Sequence, residues 1–130
     1  MQKGNSGKKH KNKKVVVVGI EENRHAAYLF EVSEAKKMEL NINADIVFFD
    51  SAERAHSTSY GADIVVVNID RSIDFPAKLF NGGYEGEIIT VTNKQQGLTK
   101  AVKNIKGRDV YPISCRMAPQ KVVDLLKAGA

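Results

Sequence analysis

The sequence has one cysteine and no apolar run long enough to cross a membrane. Cys115 alone excludes an internal disulfide and a cysteine-based zinc cluster. A membrane-spanning helix needs roughly 18 consecutive apolar residues, whereas the longest apolar runs here have the length of a strand. The valine run over residues 15–18 is also too short for the core of a secretion signal. A cytoplasmic location is therefore the default expectation.

Motifs of ordinary enzymes are also missing. The sequence has no nucleophile elbow, no phosphate-binding glycine loop and no dinucleotide fingerprint. The Asn81-Gly82-Gly83 segment follows no predicted strand and is typical of a turn. His25 and His56 lie on different predicted helices, without cysteine or histidine nearby in sequence. We therefore expect neither catalysis nor a cofactor.

The positive charge is confined to the N-terminus. The 130 residues have a formal net charge of +5, and residues 1–14 hold six of the 20 basic residues and no acid. The remainder holds 14 basic against 15 acidic residues, so it is nearly neutral. We predict a disordered basic tail over residues 1–13 and one domain over residues 14–130. The tail is either a solvated leader or an arm for an acidic protein, nucleic acid or an anionic membrane.

Beyond the tail, apolar strands alternate with helical patterns. Pro112 places the last strand at a sheet edge, because proline lacks a ladder donor. In the first helix, Ala26, Leu29, Phe30 and Ser33 form one apolar stripe. Strands are predicted over residues 15–18, 45–49, 64–68, 88–92 and 109–113, and helices over 21–40, 52–59, 98–105 and 119–127, with a short helical turn from Asp74 to Asn81.

This alternation predicts an α/β fold with a five-stranded parallel sheet and helices on both faces. The common order for a small sheet of this class is the flavodoxin-like 2-1-3-4-5, here with a shortened third helix. Sites in such folds lie at the carboxyl ends of the strands, near strands 1 and 3. The polar residues at those ends are Glu21, Glu22, Asn68, Asp70 and Thr92, together with the residues after Ile113.

Over residues 14–127 these positions resemble the receiver domains of two-component response regulators. In that family, acidic residues after strand 1 hold magnesium, an aspartate ends strand 3, a hydroxyl residue follows strand 4, and a lysine precedes a proline and the last helix. The positions that match these landmarks are Glu21 and Glu22, Asn68, Thr92, and Cys115 with Arg116 beside it.

The sequence departs from the family pattern at two positions. It therefore resembles the degenerate, pseudo-receiver branch of the family. Asn68 stands where the phosphate-accepting carboxylate is expected, and an amide cannot form an acyl phosphate. Cys115 stands where the family has a lysine. We therefore predict a non-catalytic signalling module that acts through protein–protein contacts.

Several alternatives remain open at these positions. Asp70 is either a displaced phosphoacceptor or a turn aspartate. Glu21 and Glu22 either hold magnesium with Asp70 or favour the positive end of a helix. Cys115 is either a reactive thiol or a small buried hydrophobic residue. A nucleotide-binding or second-messenger-binding domain is a further alternative for the whole chain.

The resemblance also implies an interaction face. In receiver domains, helix 4, strand 5 and helix 5 mediate pairing, so a homodimer through this face is one form of the prediction. Lys100, Lys103 and Lys106 give the face a basic rim, which suits an acidic partner. Its candidate residues are Leu98, Ala101, Val102, Ile105, Tyr111, Val122 and Leu126.

Overall fold

A five-stranded parallel sheet lies at the centre of the computed structural model, which describes residues 12–38, 42–95, 102–103 and 109–129. The strands in chain order are β1 (Lys13–Val18), β2 (Ala44–Phe49), β3 (Ile64–Asn68), β4 (Glu87–Thr92), β5 (Val102–Lys103), β6 (Asp109–Val110) and β7 (Ile113–Ser114). The order across the large sheet is β2-β1-β3-β4-β7. This confirms the predicted α/β class and the order 2-1-3-4-5.

Four α-helices cover the two faces of this sheet in the described part of the chain. A 3-10 turn (Glu22–Arg24) precedes the first of them. They are α1 (His25–Met38), α2 (Ala52–Ser59), α3 (Phe75–Asn81) and α4 (Ala118–Lys127). The predicted shortening of the third helix is confirmed, because α3 has seven residues and ends before Gly82.

The core has two layers, one on each face of the sheet. Valines of β1 alternate between them: Val15 and Val17 pack towards α1 and α4, and Val16 and Val18 towards α2 and α3. Each of these valines is fully buried. A run of β-branched residues without polar alternation fits a strand that is covered on both sides. The central strands β1 and β3 therefore hold the carboxyl-end loops on a rigid support.

The apolar stripe predicted for α1 is not the face that this helix buries. Leu29 and Phe30 are 53% and 60% exposed. The helix instead buries Tyr28, Val32 and Ala35 against the sheet and α4. Both sets of residues follow helical spacing, so the periodicity alone could not choose between them. Packing against the sheet selected the second set.

The predicted fifth strand is also displaced. Of the predicted strand, only Ile113 pairs with β4, opposite Val91, and the next residue, Ser114, pairs opposite Thr92. Pro112 has no backbone N–H to donate, and the strand joins the sheet only after it. Asp109–Val110 pairs instead with Val102–Lys103, in an antiparallel ladder separate from the main sheet.

Two further predictions change at the edges of the described chain. The helix predicted over residues 98–105 is wrong at Val102, which lies in β5; valine favours extended backbone. Leu98, Ala101 and Ile105 lie outside the described residues. Lys13, assigned to the tail, is the first residue of β1, because its backbone pairs with β2. Residues 1–11 also lie outside the described residues.

The described helices were also compared with the length of a membrane span. None of them is long and apolar enough to cross a bilayer.

Candidate functional site

The carboxyl ends of β1, β3 and β4 bring the predicted site residues to one edge of the sheet. The parallel register aligns Val18 with Val67, and Asn68 with Val91. The residues that follow these strands therefore meet in three adjacent loops. The backbone N–H of Ile69 also donates to the Val91 carbonyl at 2.9 Å, which ties the β3 loop to β4.

Asn68 is a buried amide whose oxygen and nitrogen both have partners. The residue is only 2% exposed to solvent. The Nδ2 group donates to the Gly19 carbonyl at 2.9 Å, and Oδ1 accepts from the Asp70 backbone N–H at 3.0 Å. The second bond is an Asx-type turn, in which a side chain organises the backbone two residues ahead. Asn68 thus joins the β1 loop to the β3 loop.

Gly19 has a backbone conformation that makes this contact possible. Its φ is +76°, in the left-handed region that side chains disfavour. A Cβ atom at this position would lie 3.3 Å from the Cβ of Asn68. The glycine after the valine run therefore serves both the turn and the close approach of Asn68, a role that the sequence prediction missed.

Asp70 joins the β3 loop to the end of β4. Its Oδ1 accepts from the Thr92 hydroxyl at 2.6 Å, and Oδ2 accepts from the Asn93 backbone N–H at 2.8 Å. The Thr92 oxygen in turn accepts from the Lys94 backbone N–H at 3.0 Å. Hydrogen bonds to an ionised carboxylate are among the stronger ones in proteins. Both carboxylate oxygens of Asp70 are therefore engaged within the loops.

Glu21 and Glu22, the other magnesium candidates, are exposed. Glu21 Oε1 lies 3.5 Å from Asn93 Nδ2, and Glu22 begins the 3-10 turn before α1. Within the described ranges, no three histidine, cysteine or acidic side chains form a group suited to a metal ion. The geometry thus does not assemble Glu21, Glu22 and Asp70 into a magnesium site.

Cys115 is buried next to the end of β4. Cys115 is 4% exposed, and its backbone N–H donates to the Thr92 carbonyl at 3.2 Å. Burial raises the pKa of the thiol, and the nearby Arg24 charge opposes this only in part. A protonated, buried thiol is a poor nucleophile. Arg116 is exposed, and no described ion pair joins it to Asp70.

Two residues of the predicted interaction face are buried. Val122 is fully buried and Leu126 is 8% exposed, because both pack in the core beneath α4. Tyr111, in contrast, is 62% exposed. Val102 lies in the strand β5. The predicted interaction face is therefore wrong at Val122 and Leu126, because α4 directs both side chains into the core.

A separate open cleft of about 700 Å³ lies beside β1 and β2 at the same edge. One wall carries a ring stack between His25 and Phe48, with centroids 3.9 Å apart and planes 12° from parallel. Acidic and basic side chains both line the cleft. Its charged lining residues are Glu21, Glu22, Asp50, Arg54 and Arg71.

Comparisons of the chain with protein-family models, with curated proteins and with solved structures found no match.

Proposed function

We propose that this chain is a non-catalytic, pseudo-receiver-like module that acts through protein–protein contacts and without phosphotransfer. The observation that carries the proposal is the state of Asn68. It occupies the end of β3 with both polar atoms of its side chain bonded to backbone groups. The position therefore serves to join loops, which is a structural task.

The chemistry of the site supports the absence of phosphotransfer. The reaction needs a carboxylate nucleophile and a cation that neutralises charge on the transferring group. An amide supplies neither charge nor a nucleophilic oxygen of comparable strength. Cys115, at the position matched to the family's lysine, is buried with a raised pKa and carries no positive charge.

Asp70, two residues beyond Asn68, remains as an acceptor candidate. Its two oxygens already accept from Thr92 and from the Asn93 backbone N–H. A reaction at either oxygen would break one of these bonds and open the link between the β3 and β4 loops. The geometry therefore favours a structural role for Asp70 over phosphorylation.

The test is incubation of the full chain with acetyl phosphate and magnesium, followed by intact mass measurement. We expect no added phosphoryl mass on the native chain. Asp70→Asn is the matched variant, because it removes the remaining acceptor. Phosphoryl mass that appears on the native chain and disappears in Asp70→Asn would contradict the proposal and establish an atypical receiver.

The cleft beside β1 favours a second candidate function, a nucleotide-binding or second-messenger-binding regulatory domain. It lies at the carboxyl edge, where ligands bind in this fold class. Arg54 and Arg71 line it and are the candidate contacts for a phosphate group. Thermal shift measurements with adenine and guanine nucleotides, cyclic dinucleotides and flavin test this function, and stabilisation that is lost in Arg71→Ala would favour it.

The basic residues before β1 extend the proposal to a second contact. Four lysines and no acid within residues 1–12 suit an acidic protein, nucleic acid or an anionic membrane surface. Such binding should weaken steeply as salt rises, because it depends on screened charges. The binding of heparin, as a generic polyanion, at two salt concentrations would measure this.

A further inference from the structure

The cleft beside β1 and β2 spans the end of the sheet from one face to the other. Phe48 packs against the core layer of α1, and the next residue, Phe49, packs against that of α2. Both phenylalanines line the cleft. The start of α1 and the start of α2 therefore form its two sides. Its volume of about 700 Å³ is in the usual range for small-molecule sites, roughly 300–1,000 Å³.

The floor of the cleft carries a fixed aromatic surface. His25 Nε2 lies 2.9 Å from the Ile20 carbonyl oxygen. Because a carbonyl oxygen only accepts, this nitrogen carries the proton and holds the imidazole ring in place. The ring stacks on Phe48, and both residues are half-buried, so part of the stack faces the cleft. A planar group of a ligand can pack on such a surface.

The two sides of the cleft carry charges of opposite sign. Glu22 lies on the α1 side, because it begins the 3-10 turn that leads into this helix. Arg71 reaches the cleft from the loop after β3 by lying over Gly19, where a Cβ atom would be 3.6 Å from the Arg71 Cδ. Within the described ranges neither Glu22 nor Arg71 forms an ion pair, whereas Arg54 lies 3.7 Å from Asp50.

We propose that this cleft binds a small zwitterion with an aromatic ring, of the chemical class of the aromatic amino acids. The ammonium group binds Glu22, the carboxylate binds Arg71, and the ring packs against His25 and Phe48. Hydrogen bonds between ionised partners are about twice as strong as neutral ones. A nucleotide brings only negative charge at neutral pH, which suits Arg71 but not Glu22. The inference goes beyond the contact module, which needs no ligand, and names a ligand class other than nucleotides for this cleft.

Isothermal titration of the full chain with L-phenylalanine, over micromolar to millimolar concentrations, tests the proposal. We expect saturable binding. Phenethylamine lacks the carboxylate and hydrocinnamate lacks the ammonium group, so each should bind at least about tenfold more weakly. L-alanine lacks the ring and should bind about tenfold more weakly. Adenosine monophosphate is the nucleotide arm of the same experiment and should bind more weakly than L-phenylalanine.

Two variants assign the contacts. Glu22→Gln and Arg71→Ala should each weaken L-phenylalanine binding at least about tenfold. Glu22→Gln should leave hydrocinnamate binding unchanged, and Arg71→Ala should leave phenethylamine binding unchanged, because each analogue lacks the group that the lost side chain binds. The matched controls are Glu85→Gln and Lys78→Ala, at exposed residues outside this cleft, and they should have no effect. Circular dichroism spectra confirm that each variant is folded.

Three results would overturn the proposal. They are the absence of saturable binding of L-phenylalanine, equal affinity for the analogues that carry one charge, and tighter binding of adenosine monophosphate than of L-phenylalanine. Equal effects of the variants and of their controls would overturn the assigned contacts. The phosphodonor experiment judges the contact module independently, because Asn68 and Asp70 do not line this cleft.

Discussion

The side-chain amide of Asn68 donates a hydrogen bond to the backbone carbonyl of Gly19 at 2.9 Å, across the carboxyl ends of two neighbouring strands. The bond is buried and links residues 49 positions apart in sequence. Only a side chain with an N–H or O–H donor can form it, so an ionised carboxylate at this position cannot. The amide of Asn68 therefore holds the loops after β1 and β3 together.

Asn68→Asp is expected to destabilise the fold at neutral pH. The Gly19 carbonyl would lose its donor and face a buried charge, at a cost of about 1–3 kcal/mol. Lowering the pH should recover part of this loss, because a protonated carboxyl group can donate again. Urea unfolding at neutral and mildly acidic pH measures both effects. Asn23→Asp, at an exposed asparagine of the 3-10 turn, is the control and should change stability by less than about 0.5 kcal/mol.

Two threonines of β4 should respond in opposite ways to replacement by valine. Thr92→Val removes the donor to Asp70 and the acceptor of Lys94, which should cost about 2 kcal/mol. Thr90 is 4% exposed, and its hydroxyl has no partner among the described residues. Thr90→Val should therefore be neutral or stabilising. Thermal and urea unfolding of the pair measure the difference, and equal losses would contradict the assigned role of Thr92.

Gly19→Ala should destabilise the fold because of the backbone conformation and the close contact. A positive φ disfavours a side chain by about 1–2 kcal/mol, and the new Cβ would lie 3.3 Å from that of Asn68. Gly61→Ala is the matched control, since the nearest atom would lie at an ordinary 3.8 Å. We expect a change within about 0.5 kcal/mol for the control. Equal unfolding midpoints for the two variants would rule out this account.

Two buried tyrosines predict a loss of stability at alkaline pH. Burial raises the pKa of Tyr28 and of Tyr84 above the ordinary value of about 10. The unfolded chain therefore releases these protons first. The free energy of unfolding keeps its full value below about pH 10 and falls as the pH rises further. Urea unfolding at neutral and alkaline pH measures this slope, which Tyr28→Phe should reduce.

The same two tyrosines form a matched pair at neutral pH. The Tyr28 hydroxyl has no hydrogen-bond partner among the described residues, so Tyr28→Phe should be neutral or stabilising. Tyr84 donates to the Glu87 carbonyl at 3.2 Å, so Tyr84→Phe should cost about 1 kcal/mol. A clear loss of stability in Tyr28→Phe would show that its hydroxyl does have a partner.

Short local signals were sufficient for most of the fold. The valine runs of β1 and β3 predict buried strands, since β-branched residues without polar alternation fit a sheet covered on both faces. Ser51 caps α2, because its hydroxyl accepts from the Arg54 backbone N–H at 3.3 Å. The alternation of strands and helices then leaves few topologies, and the order 2-1-3-4-5 is common among them.

Within the site, the sequence by itself predicted that Asn68, Asp70 and Thr92 meet, since strand ends in a parallel sheet share one edge. It could not determine their bonds. The link from Asp70 to Thr92 spans 22 residues, and it depends on the angle between two loops. The role of Gly19 depends on a positive φ next to Asn68, which no local pattern encodes.

Only the tertiary structure decided which face of α1 is buried. Tyr28 with Val32, and Leu29 with Phe30, follow the same helical period, and the choice between them depends on how the helix packs against β1, β3 and α4. Tertiary packing likewise placed Val122 and Leu126 inside and moved the edge strand beyond Pro112. Periodicity describes a helix by itself, whereas burial is a property of the surfaces that meet, and those are known only once the whole sheet is assembled.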